Sequence, residues 1–176
     1  MKTAEEMETL RKRPDWQAEY RRIIDDILQN CEFAQLADFH HHGTSLLEHC
    51  YTVSYLSYLL CRRLGLDFVA AARGGLLHDF FLYDWRAYKR ARQGPNHGLH
   101  HPRVALQNAC KHFTVSAKER EIILLHMLPK VWGWPRHPES WIVSLVDKYV
   151  ALREHFGWKP HCSFLPGRNR DGQAQQ

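Results

Sequence analysis

Apolar residues recur along this 176-residue chain at spacings of three and four positions, and no segment alternates apolar with polar residues as a strand would. Such spacing places side chains on one face of an α-helix. The first example runs through Trp16, Tyr20, Ile24 and Leu28. Pro14 is suited to start that helix. The pattern predicts an all-α fold, and the chain is long enough for one domain with its own core.

Capping residues and periodicity predict five further helices. The first spans residues 45–64, with Thr44 as N-cap and Gly65 at its end, and the second spans 67–77. The third spans 102–112 and is opened by Pro102. The last two span 116–127, with a capping box of Ser116 and Glu119, and 139–155, ended by Gly157. We divide the chain into an N-terminal helical extension packed on the core (1–30), the main domain (31–156) and a loosely held tail rich in Pro, Gly and Gln (157–176).

Charge and cysteine content exclude several classes of protein. The net charge of +5 is spread along the chain without a recognisable nucleic-acid-binding motif, so a small anion is a better partner than nucleic acid. Five scattered cysteines without a Cys-x-x-Cys pair argue against a disulfide framework or a zinc ribbon. No apolar run approaches the ~20 residues of a membrane span, and residues 1–13 lack a secretory signal. We expect a cytoplasmic protein with no membrane partner. Whether it forms a homo-oligomer is left open by the sequence.

Metal-competent side chains fall on the apolar faces of four predicted helices. They are His49, the adjacent His78 and Asp79, His126, and Asp147. Asp147 stands in a segment that is apolar almost all round, where a carboxylate is costly unless a charge or a metal compensates it. Each of these residues, taken alone, is more simply explained as a hydrogen-bonded core residue than as a metal ligand. Together, in a chain with 13 histidines, they predict a site for divalent iron, manganese, cobalt or zinc.

These residues resemble the signature of the HD-domain metal-dependent phosphohydrolase superfamily, which is a histidine, an adjacent His-Asp pair and a distant aspartate. The matching stretches are Glu48-His49, Leu76-Leu77-His78-Asp79 and the helical Asp147. The resemblance covers roughly residues 42–155 and extends to uncharacterised bacterial HD proteins, which give no substrate. It implies a single-domain helical bundle that hydrolyses a phosphate mono- or diester, with nucleotides among the candidate substrates.

Binuclear members of the superfamily add two histidines, which match His101 and His126. The resemblance implies two metal ions, the first held by His49, His78, Asp79 and Asp147, and the second by the bridging Asp79 with His101 and His126. Water activated by the metals would attack the phosphate. His97 and His100 are rivals for the role of His101, which is preferred because Pro102 would fix it at a helix start.

Candidates for catalysis and substrate binding lie around this ligand set. Asp79 and Lys148 are the expected catalytic residues, because Asp79 would bridge the ions and Lys148, beside a ligand, would either contact the phosphoryl group or only solvate the helix. Candidate substrate contacts are Arg73, Tyr83, Arg103 and His42. The basic segment 84–100 is a candidate lid. The stretch after the His-Asp pair lacks Gly-Lys, and the chain lacks Gly-Tyr-Pro, so cyclic-dinucleotide hydrolysis is disfavoured.

The sequence is compatible with two other functions. Some HD proteins use the same six ligands to hold a di-iron centre that activates O₂, and the sequence does not separate that chemistry from hydrolysis. A non-catalytic nucleotide-binding or regulatory module is the other alternative, since a set of ligands does not prove turnover.

Overall fold

The computed structural model describes residues 15–41, 44–84 and 97–157. Its helices are α1 Trp16–Leu28, α2 Cys31–Ala34, a 3-10 helix at Gln35–Asp38, α3 Leu46–Arg63, α4 Phe68–Leu77, α5 His97–His112, α6 Ala117–Leu125 and α7 Pro138–His155. Strands β1 His40–His41 and β2 Thr44–Ser45 form a short antiparallel pair. The predicted all-α fold is confirmed. His42, the basic segment at 85–96, residues 1–14 of the predicted extension and the tail after residue 157 lie outside the described residues.

Hydrogen-bonding side chains start the helices. Ser45 Oγ accepts from the Glu48 amide at 3.2 Å and the Glu48 carboxylate accepts from the Ser45 amide at 3.3 Å, a capping box that starts α3. The prediction of Thr44 as the cap was wrong by one residue, because the hydroxyl that accepts from the Glu48 amide belongs to Ser45. The capping box predicted for Ser116 and Glu119 is present at the start of α6.

Two proline predictions were wrong. Asp15 caps α1 by accepting from the amides of Gln17 and Ala18, and the helix begins at Trp16, so Pro14 is not its first residue. Helix α5 begins at His97 rather than Pro102, which lies buried inside it. A proline inside a helix removes one backbone hydrogen bond, and burial of its ring offsets part of that cost.

Glycines at two helix ends adopt the left-handed conformation. Gly65 has φ 68° and follows α3, and Gly157 has φ 81° and follows α7. Both ends agree with the sequence prediction. No helix within the described ranges is long and apolar enough to cross a membrane.

Helix α3 lies at the centre, where it packs against α4 and α7, and α4 packs in turn against α6 and α1. A Cβ atom on Gly74 would come within 2.9 Å of Ile122 Cγ2 of α6, and one on Gly75 within 3.1 Å of Ser54 Cα of α3. Helix α4 is therefore held close to both neighbours. Because α4 ends at Leu77, this packing fixes where the chain that follows it enters the interior.

Candidate metal centre

Six side chains from five elements meet in the interior of the bundle. They are His49 from α3, His78 and Asp79 directly after α4, His101 from α5, His126 directly after α6, and Asp147 from α7. All six are buried. They are the six predicted metal ligands, and the fold brings them into one cluster although nearly a hundred residues separate the first from the last.

Three of the histidines point Nδ1 at a backbone carbonyl three or four residues earlier in the chain. The pairs are His78 with Gly75 at 2.7 Å, His101 with His97 at 2.9 Å, and His126 with Ile123 at 2.8 Å. A carbonyl oxygen only accepts, so each Nδ1 carries the proton that it donates. In the neutral rings the Nε2 lone pair is therefore left for another partner, which is the arrangement of a metal-ligating imidazole.

The Nε2 atoms of His101 and His126 lie 2.8 Å apart. Asp79 Oδ1 is 3.1 Å from His101 Nε2 and 3.4 Å from His126 Nε2. Two neutral imidazoles that face each other with lone pairs repel unless a proton or a cation lies between them. Asp79 Oδ1 is also buried without a hydrogen-bond partner among the described residues, so this half of the cluster fits a divalent ion.

The other half of the cluster contains the second carboxylate. His49 Nε2 lies 3.1 Å from Asp147 Oδ1, and His78 Nε2 lies 3.7 Å from both Asp147 Oδ1 and Asp79 Oδ2. In the described part of the chain, His78 Nε2 is buried with no hydrogen-bond partner. Nitrogen and carboxylate donors in this combination suit divalent transition metals.

The donor atoms can be grouped by distance. Three sets have ligand atoms that all lie within 4.8 Å of one another: His49, His78 and Asp79; Asp79, His101 and His126; and His78, His126 and Asp147. Asp79 belongs to the first two sets. Those two sets lie on the two sides of the division into two ions that the sequence resemblance implies, with Asp79 in both. Asp147, expected beside the first ion, groups with His78 and His126 instead.

The electrostatics keep both carboxylates ionised. Burial alone raises the pKa of Asp79, but the neighbouring His78 and His101 outweigh it and hold the pKa well below the usual range. Burial likewise raises the pKa of Asp147, but the hydrogen bond from His49 and the neighbouring His78 outweigh it and lower that pKa. Neither carboxylate has to lose a proton near neutral pH to act as a ligand.

Glu154 is a buried carboxylate beside the cluster that the sequence analysis missed. Its Oε2 accepts from His49 Nδ1 at 3.0 Å. Burial lowers the pKa of His49, but hydrogen bonds to Asp147 and Glu154 outweigh it and raise the pKa to about 10. Glu154 follows Asp147 by seven residues, which is two helical turns, and this spacing was the available signal that both share one face of α7.

His97 and His100 were the rivals of His101. His97 contributes its carbonyl to His101 Nδ1, and its ring stacks on that of His101 at a centroid distance of 4.6 Å. Burial and the neighbouring His101 lower the pKa of His97 to about 4. In the described ranges, the sets of residues able to hold a metal include His101 and neither rival. The geometry therefore favours His101, although the predicted reason, a helix start at Pro102, was wrong.

Lys148 is held against the backbone beside a predicted ligand. Its Nζ donates to the His126 carbonyl at 2.9 Å, the Ser144 carbonyl at 3.1 Å and Ser144 Oγ at 2.8 Å. Burial lowers the pKa of Lys148, although Asp147 acts in the opposite direction. These contacts tie α7 to the turn that carries His126.

The predicted substrate contacts have different surroundings. Arg73 donates to Asp26 at 2.6 Å, to Glu119 at 3.0 Å and to the Ile23 carbonyl at 3.0 Å, so its guanidinium joins α1 to α4 and α6 and does not reach the cluster. Tyr83 is half-buried, with its hydroxyl 3.0 Å from His97 Nδ1. Arg103 is exposed on α5.

Comparison with protein families identifies the HD domain. The family model of the HD domain matches residues 46–152, a range that begins with α3 and contains all six clustered residues. Comparisons with curated proteins and with solved structures gave no significant match.

Proposed function

The chain belongs to the HD domain family, whose members are mostly metal-dependent phosphohydrolases, and from that premise we propose that it hydrolyses a small phosphate mono- or diester at a binuclear metal centre. Nucleotides are among the candidate substrates. One observation carries the proposal: buried Nε2 and carboxylate atoms converge, and within the described residues His78 Nε2 and Asp79 Oδ1 have no hydrogen-bond partner. A divalent ion is the ligand that such a donor set suits.

We assign the ligands to two sets that share Asp79. His49, His78, Asp79 and Asp147 would hold one ion, and Asp79, His101 and His126 the other; the donor atoms of Asp147 also lie close to those of His126. When bound, the two ions supply positive charge that polarises the phosphate and lowers the pKa of water toward neutrality.

The surrounding chain orients the ligands and determines which of them solvent can reach. The contacts between Nδ1 atoms and backbone carbonyls orient three imidazoles, so their Nε2 atoms need little rearrangement to bind. Solvent reaches the cluster unevenly: His49 and His78 are 0% exposed, whereas Asp79 is 6% and Asp147 8% exposed. The substrate would therefore approach from the side of the two carboxylates.

Substrate contacts are proposed beyond the ligands. Tyr83 is a candidate because its hydroxyl contacts His97 Nδ1, and the His97 ring stacks on the His101 ring. Arg103, exposed on the same helix as His101, is a second candidate for binding a phosphate. Arg73 is better explained by its ion pairs with Asp26 and Glu119.

The test uses protein stripped of metal and reloaded with Mn²⁺, Fe²⁺, Co²⁺ or Zn²⁺. We expect hydrolysis of p-nitrophenyl phosphate, bis-p-nitrophenyl phosphate or a nucleotide, and a loss of at least about 100-fold in His101→Ala. His112→Ala is the matched control, because His112 is on the same helix and bonds Glu32 instead of the cluster. Absence of turnover with every metal across a broad panel would contradict the proposal. Oxygen uptake by the iron-loaded protein without hydrolysis would favour a di-iron oxygenase instead.

A further inference from the structure

Glu154 has an unusual environment for a carboxylate. The residue is 2% exposed, Oε2 accepts from His49 Nδ1 at 3.0 Å, and Oε1 is buried without a hydrogen-bond partner in the described part of the chain. A buried charge with a single partner costs more stability than a well-packed apolar side chain would. Stability of the fold therefore does not explain why a carboxylate stands at this position.

His49 differs from the other three clustered histidines in the partner of its Nδ1. The other three donate to neutral backbone carbonyls, whereas His49 donates to a carboxylate. A charge-assisted hydrogen bond is stronger than a neutral one. A carboxylate behind a ligating imidazole also fixes the ring orientation and raises the basicity of the ligating nitrogen.

We propose that Glu154 is a positioning residue that makes the ion site of His49, His78, Asp79 and Asp147 the tighter of the two. The inference rests on the binuclear assignment proposed above. The site of Asp79, His101 and His126 has one carboxylate fewer, and both of its histidines rest on neutral carbonyls. The two ions therefore bind in order, and at limiting metal the protein carries its first ion on the His49 side.

Glu154→Gln tests the charge with little change of shape, since the amide oxygen still accepts from His49 Nδ1. The matched control is Glu139→Gln. Glu139 is a buried carboxylate of the same helix, also 2% exposed, and it accepts from Lys118 Nζ at 3.1 Å and the Asp67 amide at 2.8 Å, away from the cluster. Both variants remove a buried charge from α7, and only Glu154→Gln removes one that touches a proposed ligand.

The measurement is a calorimetric titration of metal-stripped protein with Mn²⁺. We expect two binding steps in the wild type, and a first step weakened by about 10- to 100-fold in Glu154→Gln. The second step should change much less, and Glu139→Gln should leave both steps unaltered. An unchanged first step in Glu154→Gln, or equal weakening in the two variants, would overturn the proposal.

A spectroscopic readout separates positioning from a general loss of stability. The Nδ1 proton of His49 in the protein loaded with one Zn²⁺ should resonate at low field and move upfield in Glu154→Gln, because the acceptor loses its charge. The resonance is assigned by its loss in His49→Gln. If Glu154→Gln does not fold, Glu154→Asp replaces it, because the shorter side chain moves the charge away from His49 by one methylene. Glu154→Asp should then bind the first Mn²⁺ ion more weakly than Glu139→Asp does. Equal affinities in these two variants would reject the proposed role of Glu154.

The outcome for Glu154 is separable from the outcome for the proposed function. A single equivalent of metal in the wild type would contradict the binuclear centre, yet the comparison of Glu154→Gln with Glu139→Gln would still decide the role of Glu154 at that one site. The titration also does not depend on turnover, so lack of phosphate hydrolysis would leave its result intact.

Discussion

His101 and His126 face each other with Nε2 atoms 2.8 Å apart, while each ring donates Nδ1–H to a backbone carbonyl behind it. The carbonyls hold the rings in place, so the nitrogens cannot separate without breaking those hydrogen bonds. Burial lowers the pKa of His126, and the neighbouring His78 and His101 lower it further, although Asp79 opposes these effects. When both rings are neutral their Nε2 lone pairs face each other, and a bound cation would replace that repulsion with attraction, so stability should depend on metal.

Metal should stabilise the folded protein. At a free concentration 100 times its dissociation constant, one ion that binds only the native state adds about 2.7 kcal/mol to the free energy of unfolding. For a chain of this size that corresponds to a rise in Tm of roughly 5–10 °C. Thermal unfolding with a chelator and then with Mn²⁺ measures the rise, and Asp79→Asn, which alters the residue shared by both proposed sites, should abolish it. An equal rise in that variant would mean that Mn²⁺ binds elsewhere.

Lys148 should act through His126 and not on the substrate. Its three hydrogen bonds all go to the His126 and Ser144 region, including the backbone of the predicted ligand. We expect Lys148→Ala to weaken binding of the second Mn²⁺ ion by about 3- to 10-fold, the equivalent of about 1 kcal/mol for lost hydrogen bonds, while the first ion binds normally. Arg153→Ala, at another exposed cation of the same helix, is the control. A raised KM with unchanged metal affinity would instead assign Lys148 to phosphate binding.

The sequence carried enough information to identify the residues of the cluster but not their surroundings. His49, His126 and Asp147 could be found because helical periodicity shows which positions face inward, and His78 and Asp79 because two polar residues interrupt an apolar run. Inward direction is a local property of a helix, so a single sequence can show it.

Hydrogen-bond partners that are far apart in the sequence cannot be identified from local patterns. Glu154 and His49 are 105 positions apart, and Arg73 reaches Asp26 across 47, so their pairing depends on how helices pack. The error at Thr44 has a different origin, because Thr44 and Ser45 are adjacent and both are good N-caps, and in the structure Ser45 forms the capping box with Glu48. Pro102 shows that a proline inside a helix is tolerated where its ring is buried.

The cysteines should differ sharply in reactivity. Cys31 and Cys110 are exposed, whereas Cys50 and Cys61 are buried. Burial raises the pKa of the Cys61 thiol to about 12, so the reactive thiolate is scarce at pH 8. Brief treatment of the native protein with iodoacetamide, followed by peptide mass spectrometry, should find label on Cys31 and Cys110 only, among these four. The same treatment in urea should label all four, and rapid native labelling of Cys61 would contradict the packing of α3.

Gly74 should be intolerant of a side chain because α4 and α6 are in close contact. A Cβ atom there would lie 2.9 Å from Ile122 Cγ2 and 3.0 Å from Ile122 Cβ, so the two helices would have to separate. We expect Gly74→Ala to lower the free energy of unfolding by about 1–3 kcal/mol, the usual cost of overpacking a core. Urea denaturation of the metal-free protein measures the loss without any contribution from metal binding.

The double variant Gly74→Ala with Ile122→Ala shows whether this contact is the cause. Removing the Ile122 side chain beyond Cβ removes two of the three closest contacts with the new methyl group, so the two substitutions together should cost less than the sum of their separate costs. Because α4 leads directly into His78 and Asp79, Gly74→Ala should also weaken Mn²⁺ binding, and the double variant should recover part of that affinity. Additive costs in the double-mutant cycle would show that the contact between α4 and α6 does not limit the position of α4.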